Sequence, residues 1–512
     1  MFNFRLTPLV LALGISLMMG AQSMAQDQHI IHPDRSHPPA IGQPKAVTIP
    51  PIVKRTLSNG IPVWFIERQS TPLATVALFV RAGASDEPAA KMGLAALTAE
   101  CLDEGTEKYD ALKFAEETEN LGAYLSIDPA YFGSTISLTV PNKRLAAGLD
   151  LMAQAVLHPT FPQEEIQRIK GRALTSFVQQ RQDPSTLASC AFMKTIYASQ
   201  PENRQGYSVN GQADTFATLT REDIQDFYQR HYQPQQATIA VTGRVNVDEV
   251  CKLLEKEFGQ WQASPKSEAQ VAQDFKDGLS QPAAQPQAEG KVLSEKGFEH
   301  TIYVVDRPGS PQSVLRVGRV GFARSTPHFF PLRVMNTALG GSFMSRLNQN
   351  LREEHGYTYG ARSMLVFRVE PGPFCVATDV QADKTVAALR EILKEIEEMR
   401  QPLPQDELER TRNYICYGYP QSFETSLNLA QRILEMQLYN LPDDYYDTYV
   451  ANVESVDQKA MGPLRLTFFD PRAMKIVVVG DAQAIAKQLE GLRGWKMEIL
   501  PVDSFMGREV KP

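Results

Sequence analysis

The chain has 512 residues, of which 43% are hydrophobic and 22% charged, a composition that excludes a disordered or collagen-like protein. At roughly 150 residues per domain, this length allows several domains. The net charge of −7, without a basic stripe, gives no electrostatic basis for binding nucleic acid. Five cysteines form no C-x-x-C pair, which argues against a disulfide framework and a cysteine zinc site: Cys101, Cys190, Cys251, Cys375 and Cys416.

The first 25 residues have the pattern of a secretion signal peptide. Arg5 supplies a positive charge, residues 9–19 form an apolar run, and Ser23 and Ala25 take the small-residue positions before a cleavage point. A membrane anchor is the alternative, but the run is shorter than the ~20 residues that span a bilayer. We therefore expect export to the periplasm, with no membrane span once the signal peptide (1–25) is removed.

Two segments of similar size, 50–262 and 298–500, make up most of the chain. Residues 26–49 are polar and predict a flexible N-terminal segment. Residues 263–297 are rich in Ala, Gln and Pro and predict a linker, and residues 501–512 form a short tail. The sequence thus predicts two domains joined by a linker.

The predicted elements alternate between strands and helices along the first segment. In chain order they are strands at 63–66 and 75–80, a helix from Pro88 to about Leu102, a strand at 135–140, and helices at 163–182 and 221–230. Near its end, each segment has a proline, then a run rich in apolar and β-branched residues, then a glycine. The run from Pro234 to Gly243 in the first segment matches the run from Pro471 to Gly480 in the second, at a constant offset of 237 residues. We infer an internal duplication and an α+β fold, with two homologous α/β-sandwich halves of mainly antiparallel sheet covered by helices.

A motif in the predicted helix gives the first indication of function. The run GLAALTAE at 93–100, followed five residues later by Gly-Thr, resembles the first-half signature of the pitrilysin/insulinase family of inverted-motif zinc peptidases. That signature carries H-x-x-E-H, and the resemblance places its first His, its catalytic Glu and its second His at Ala96, Ala99 and Glu100. It places the third zinc ligand at Ser176. Because a methyl group cannot bind metal, the resemblance implies a degenerate zinc site and no metal in this chain. The eight histidines form no i, i+4 pair on a predicted helix, so a shifted register does not restore the site.

The second segment contains a longer motif, from Ala338 to Tyr359. A Gly-Gly pair at 340–341 is predicted to end one helix, and Ser342 to cap the next. Gly356 is predicted to stop that second helix, and a strand is predicted over 357–367. The second helix should bury an i, i+4, i+8 stripe: Phe343, Leu347 and Leu351.

Arg352 and Tyr359, seven residues apart, resemble the second-half L-R…Y signature of the same family. The resemblance implies that, in active members, the Arg holds a substrate carbonyl and the Tyr donates a hydrogen bond to the scissile carbonyl. The residues alone leave an alternative open, namely an Arg placed favourably at a helix C-terminus and a Tyr packed in a sheet.

In the bacterial two-subunit members of this family, one chain carries the zinc motif and the other carries the Arg/Tyr pair. This chain, without the zinc motif but with the pair, resembles the second of those subunits. The resemblance implies a clam-shell fold around a chamber, peptide substrates bound as extended strands, and a zinc-bearing homologous partner subunit. It implies no cofactor in this chain and no activity without the partner. The alternative is a catalytically silent peptide-binding or scaffold protein.

Overall fold

The computed structural model of the protein describes residues 49–264 and 299–510, all within one compact unit. The predicted signal peptide, the predicted flexible segment up to residue 48 and the predicted linker from residue 265 onward lie outside the described residues. Within the described ranges, no helix is both long and apolar enough to cross a membrane.

The first half contains a six-stranded sheet in the order β1-β2-β6-β3-β5-β4. Its strands are β1 (Val53–Thr56), β2 (Pro62–Glu67), β3 (Leu73–Val80), β4 (Tyr124–Pro129), β5 (Ser134–Pro141) and β6 (Ala237–Gly243). Its helices are α1 (Leu94–Glu100), α2 (Ala111–Asn120), α3 (Leu145–Leu157), α4 (Gln163–Gln180), α5 (Pro184–Ile196), α6 (Ala213–Thr218), α7 (Arg221–His231) and α8 (Val247–Phe258). Neighbouring strands are antiparallel except β2 and β6.

The second half has the strand order β12-β7-β11-β8-β10-β9 and repeats five strands of the first sheet. Its edge strand differs, because β12 is parallel to β7 whereas β1 is antiparallel to β2. Its strands are β7 (His300–Asp306), β8 (Gln312–Val320), β9 (Ala361–Leu365), β10 (Pro373–Gln381), β11 (Lys475–Gly480) and β12 (Trp495–Ile499). Its helices are α9 (Phe329–Asn336), α10 (Arg346–Asn348), α11 (Thr385–Glu398), α12 (Gln405–Gly418), α13 (Ser426–Leu438), α14 (Tyr445–Glu454), α15 (Gln458–Thr467), α16 (Ala482–Leu489) and α17 (Asp503–Met506). The predicted α+β fold of two halves with mainly antiparallel sheets is confirmed.

The repeated glycine at the end of each central strand has a steric cause. β6 lies antiparallel to β3, with Gly243 opposite Ala74, and β11 lies in the same way against β8. Gly243 has φ +131°, and a Cβ there would lie 2.2 Å from the carbonyl oxygen of Leu73. At Gly480 a Cβ would lie 2.6 Å from Oγ of Ser313. Each strand therefore needs glycine where it passes close to its neighbour.

The two halves exchange one helix each. α5 of the first half packs on the second sheet, where Leu187 joins a buried cluster with Val477 and Val479. α13 of the second half packs on the first sheet, where Ile433 joins a buried cluster with Ala240. Each sheet thus has one face covered by the other half, and apolar burial on both sides holds the two halves together.

The predicted tail is also packed. In α17, Phe505 and Met506 are buried in the cluster formed by α5 and the second sheet. Arg181 donates from Nη1 to the carbonyl oxygen of Gly507 at 3.0 Å, which ties this segment to the end of α4.

Candidate functional site

The positions that the family resemblance assigns to the zinc ligands lie where α1 and α4 meet. Ala96 and Glu100 of α1 and Ser176 of α4 line one cavity of about 290 Å³, together with Arg172. Ala99 is 0% exposed and does not line this cavity. The structure therefore brings together three of the four positions, although Ser176 lies far from the others in sequence.

The cavity carries an ion pair in place of a ligand set. Glu100 Oε2 lies 3.0 Å from Arg172 Nη2, with both side chains substantially exposed. Ser176 Oγ accepts a hydrogen bond from Gln180 Nε2 at 3.1 Å. A zinc site needs three protein ligands, and a methyl group, a hydroxyl and one paired carboxylate do not provide them. The residues present do not fit a zinc ion.

Among the described residues, the remaining metal-ligating and nucleophilic side chains form no second candidate centre. Within residues 49–264 and 299–510, no group of three or more His, Cys, Asp or Glu is placed to hold a metal ion. The five cysteines are free thiols. Burial raises the pKa of Cys190 and Cys416 to about 11 and that of Cys375 to about 12, which disfavours their nucleophilic thiolate form.

Helix α1 begins later than the sequence predicts. The predicted helix from Pro88 to about Leu102 is wrong at its start, because single 3₁₀ turns precede Gly93 and α1 covers only Leu94–Glu100. Gly93 has φ +95°, which a helix cannot continue through, and a Cβ there would lie 2.6 Å from the carbonyl oxygen of Asn210.

A buried carboxylate, Glu87, anchors the start of this helix. Glu87 accepts hydrogen bonds from the backbone N–H of Ala95 at 2.7 Å and of Gly93 at 3.1 Å. It also forms a buried ion pair with Arg204, at 2.7 Å from Nη2. A negative charge at a helix N-terminus is favourable, and removing one partner of a buried pair typically costs about 3–5 kcal/mol. No sequence pattern marks this pair, because its members are far apart along the chain.

We expect Asp103, just after α1, to make the stability of the first half pH-dependent. Burial, followed by the charges of Glu104 and Glu100, raises the pKa of Asp103 from 3.8 to about 6. The folded state therefore holds this proton more tightly than the unfolded state. The resulting stabilisation is complete below about pH 4 and is lost as the pH rises through 6, at a cost of up to about 3 kcal/mol.

Urea denaturation at pH 4, 6 and 8 measures this effect. Asp103→Asn should remove that part of the decline in the free energy of unfolding, whereas Asp248→Asn, at an exposed carboxylate on α8, should leave the decline intact. A decline of the same size in Asp103→Asn and in the unmodified protein contradicts the assignment.

The second-half motif folds differently from its prediction. The predicted cap at Ser342 is wrong, since α10 starts at Arg346 after Ser345 and continues as a π-helical turn over Gln349–Glu354. Leu347 and Leu351 are buried as predicted, but Phe343 is 60% exposed. Phe343 precedes the helix, so it does not share the helix face that the i, i+4, i+8 spacing assumed. Gly356 has φ +63° and ends the π-helical turn, as predicted.

Tyr359 lies in a loop, not on a strand. The strand predicted over 357–367 is shorter, since β9 covers only Ala361–Leu365. Thr358 explains why β9 starts only at Ala361. Its hydroxyl donates to the carbonyl oxygen of Gly360 at 3.0 Å and accepts from the N–H of Gly360 at 3.1 Å. This local turn holds Tyr359 away from the ladder, and its side chain is 95% exposed.

Tyr359 and Phe343 line a second cavity, of about 480 Å³. Its walls are charged: they include Arg316, Arg362 and Asp379. Arg316 is buried and donates from Nη2 to Ser185 Oγ of the exchanged helix α5 at 2.9 Å. Burial lowers the pKa of the Arg316 guanidinium. Both halves therefore contribute to the wall beside Tyr359.

Arg352 lies beside this cavity and contacts Phe343, which lines it. Its guanidinium carbon lies 4.5 Å from the centre of the Phe343 ring, and its Nε lies 3.5 Å from Oε1 of Glu353. Arg352 does not itself line the cavity, and among the described contacts no hydrogen bond joins it to Tyr359. The structure thus places an exposed Tyr and an exposed Phe in one cavity wall, with Arg352 stacked on that Phe.

Two family profiles match most of the part of the sequence that forms these two halves. The family profile described as insulinase (peptidase family M16) matches residues 63–207, and the profile described as peptidase M16 inactive domain matches residues 218–415. Together they cover about two thirds of the chain. The chain belongs to the M16 family. It is a member that lacks the zinc motif, since its sequence contains no H-x-x-E-H.

Individual relatives of this M16 chain are distant but extend over most of it. An uncharacterized zinc protease of Streptomyces coelicolor is 24% identical over 404 residues, which cover 79% of this chain and 84% of that protein. A crystal structure of a peptidase M16 inactive domain from Pseudomonas fluorescens has a TM-score of 0.73 at 23% identity, covering 84% of this chain and 98% of that one. A protease from Helicobacter pylori has a TM-score of 0.72 at 17% identity, with 84% and 100% coverage. At these identities the structures establish the fold.

Proposed function

We propose that this protein is the non-zinc subunit of a periplasmic, heterodimeric zinc peptidase of the M16 family. It binds extended peptides and supplies Arg352 and Tyr359 to the active site of a zinc-bearing homologous partner. The periplasmic location is proposed from the signal-peptide pattern at residues 1–25.

The observation that carries this proposal is the position of Tyr359. A buried or hydrogen-bonded phenol would have a structural purpose within this chain, but Tyr359 is 95% exposed, and no described residue lies within hydrogen-bond distance of its hydroxyl. Phe343, which lines the same cavity, is 60% exposed, and Met344, its neighbour in sequence, is 57% exposed. Such a group is typical of a surface that meets another molecule.

The two cavities support a division of chemistry between subunits. The cavity at Ala96 lacks the ligands for zinc, whereas the cavity at Tyr359 offers a phenol that can donate to a developing oxyanion. A donor of this kind accelerates peptide hydrolysis only when a nucleophile is supplied elsewhere. In the proposed complex the partner supplies the zinc and the water that it activates.

Co-expression with an H-x-x-E-H-bearing M16 chain from the same genome tests the proposal. We expect a 1:1 complex by size-exclusion chromatography with light scattering, one zinc per complex, and chelator-sensitive hydrolysis of an unfolded peptide that neither chain shows alone. Robust chelator-sensitive hydrolysis by this chain alone overturns the proposal. Peptide binding without a complex or turnover favours the alternative, a silent peptide-binding or scaffold protein.

Arg352→Ala should raise the KM of the heterodimer. If the guanidinium holds a substrate carbonyl in the ground state, its loss weakens substrate binding by about 10- to 100-fold. Arg352→Lys keeps the charge but loses the planar fork, so it should recover only part of the lost affinity. Steady-state kinetics on assembled heterodimer, with a melting curve for each variant, measures this. An unchanged KM accompanied by a lower melting temperature indicates that Arg352 serves only to pack Phe343.

A further inference from the structure

A third and larger cavity, of about 1060 Å³, lies between the two halves. Phe79 and Thr135 of the first sheet line one side, and residues of α9, β9, α12, α13 and α14 line the rest. Its volume lies at the upper end of the range for small-ligand sites, ~300–1,000 Å³. None of the degenerate zinc positions, nor Arg352 or Tyr359, contributes to it.

Arg324 is the unusual group in this cavity. Its side chain is 6% exposed, and its guanidinium carbon lies 3.9 Å from the centre of the Phe329 ring. Nη2 donates to Tyr445 Oη at 2.6 Å, but the buried Nε has no hydrogen-bond partner among the described residues. A buried cation with unused donors is unfavourable unless an anion completes its environment.

The nearest carboxylate, Glu435, forms only a long ion pair with Arg324. Glu435 Oε1 lies 3.9 Å from Arg324 Nε, which is too far for a hydrogen bond. Glu435 instead accepts from the Tyr446 hydroxyl at 3.1 Å and pairs with Arg432, whose own Nε is also buried without a partner. The cavity therefore contains two arginines whose buried Nε atoms are unused, Arg324 and Arg432. Of its two carboxylates, Glu435 is bonded elsewhere, and Asp128 is exposed and accepts from Ser126 Oγ at 3.0 Å.

The remaining lining suits a carboxylate attached to an apolar group. The Tyr445 hydroxyl accepts from Arg324, so its own proton is available to a ligand, and burial raises the pKa of Tyr445 so that it stays protonated. Aromatic rings cover much of the cavity wall: Phe329, Phe367, Tyr419, Tyr439, Tyr446 and Tyr449. Rings of this kind pack against aromatic or aliphatic side chains.

We propose that this cavity binds a carboxylate carried on an apolar group, with Arg324 and Tyr445 holding the carboxylate and the aromatic wall holding the apolar group. A peptide that ends in a large apolar residue has this chemistry, and so does a free aromatic acid. The inference rests on the proposed function only where the ligand is a peptide, because the site then holds the substrate's C-terminus. Binding requires neither the partner subunit nor turnover.

Isothermal titration calorimetry on the full purified chain tests the site. The probes are a short peptide ending in phenylalanine, the same peptide with an amidated C-terminus, and N-acetylphenylalanine. We expect the free acid to bind at least about tenfold more tightly than the amide. If N-acetylphenylalanine binds as tightly as the peptide acid, a small aromatic acid is sufficient as the ligand. If it binds more weakly, the ligand is the C-terminus of a peptide. Equal affinity for peptide acid and amide, or no binding of any probe, overturns the proposal.

Variants separate this site from general packing effects. Arg324→Met should weaken binding of the acid about 10- to 100-fold. Glu435→Gln removes a competing negative charge and should strengthen binding. Arg319→Met is the matched control, since Arg319 is a part-buried arginine stacked 5.4 Å from Phe468 and does not line the cavity.

Two variants keep the test decisive if Arg324→Met does not fold. Tyr445→Phe should weaken acid binding while retaining the ring, and Glu435→Gln should strengthen it. Unchanged affinity in both, with circular dichroism confirming the fold, overturns the proposal. Failure of the heterodimer to assemble leaves these binding constants unaffected, so failure of this site and failure of the proposed function are distinguishable.

Discussion

Tyr359→Phe is expected to lower the kcat of the reconstituted heterodimer by about 10²–10³, some 3–4 kcal/mol of transition-state stabilisation. The substitution deletes one hydroxyl from a side chain that is 95% exposed, so it removes no packing from this chain. The melting temperature and the yield of assembled complex should therefore stay unchanged. In the proposed role, the hydrogen bond from Tyr359 to the scissile carbonyl strengthens as negative charge develops, so the loss should fall on kcat more than on KM.

Turnover per assembled heterodimer is the measurement that decides this prediction. Tyr124→Phe is a matched control, since Tyr124 is also an exposed tyrosine, at 64%, but lies on β4 of the first sheet. Normal turnover in Tyr124→Phe and loss in Tyr359→Phe support a catalytic hydroxyl. Unchanged turnover in Tyr359→Phe rejects this role and leaves the scaffold alternative ahead.

The second large effect concerns the degenerate zinc site. Restoring the motif with Ala96→His, Ala99→Glu and Glu100→His should give no peptidase activity while Ser176 remains, because two imidazoles leave a zinc ion under-coordinated. The same variant should also be severely destabilised. Ala99 is 0% exposed, so a glutamate there must push into a packed core or leave a charge unpaired, at a cost on the order of 4 kcal/mol.

Zinc stoichiometry, turnover and urea denaturation measure these expectations together. Ala99→Glu alone should reproduce most of the lost stability. Glu100→His alone should cost little, since it breaks only an exposed ion pair with Arg172. Adding Ser176→Glu to the triple variant should tighten zinc binding, because Ser176 lines the same cavity as Ala96 and Glu100. Substantial turnover by the triple variant alone would show that the assumed register is wrong.

The sequence pattern located parts of the second-half site but not its shape. The buried positions Leu347 and Leu351 and the helix stop at Gly356 follow from local spacing and backbone preference. The exposed state of Phe343 depends on the helix starting at Arg346, and the exposed state of Tyr359 depends on a turn made by Thr358. A one-turn shift of a helix start is weakly marked in sequence, since each flanking residue is compatible with both conformations.

By itself, the sequence determined the two-half α+β fold, because hydrophobic periodicity is a local property. Its resemblance to the family signature, not its periodicity, indicated that the zinc motif is missing. Only the tertiary structure decided how the halves combine. The exchange of α5 and α13, the ion pair of Glu87 with Arg204, and the cavity around Arg324 each join residues that are far apart along the chain. Such contacts depend on which surfaces meet when apolar faces are buried, and sequence periodicity identifies those faces without identifying their partners.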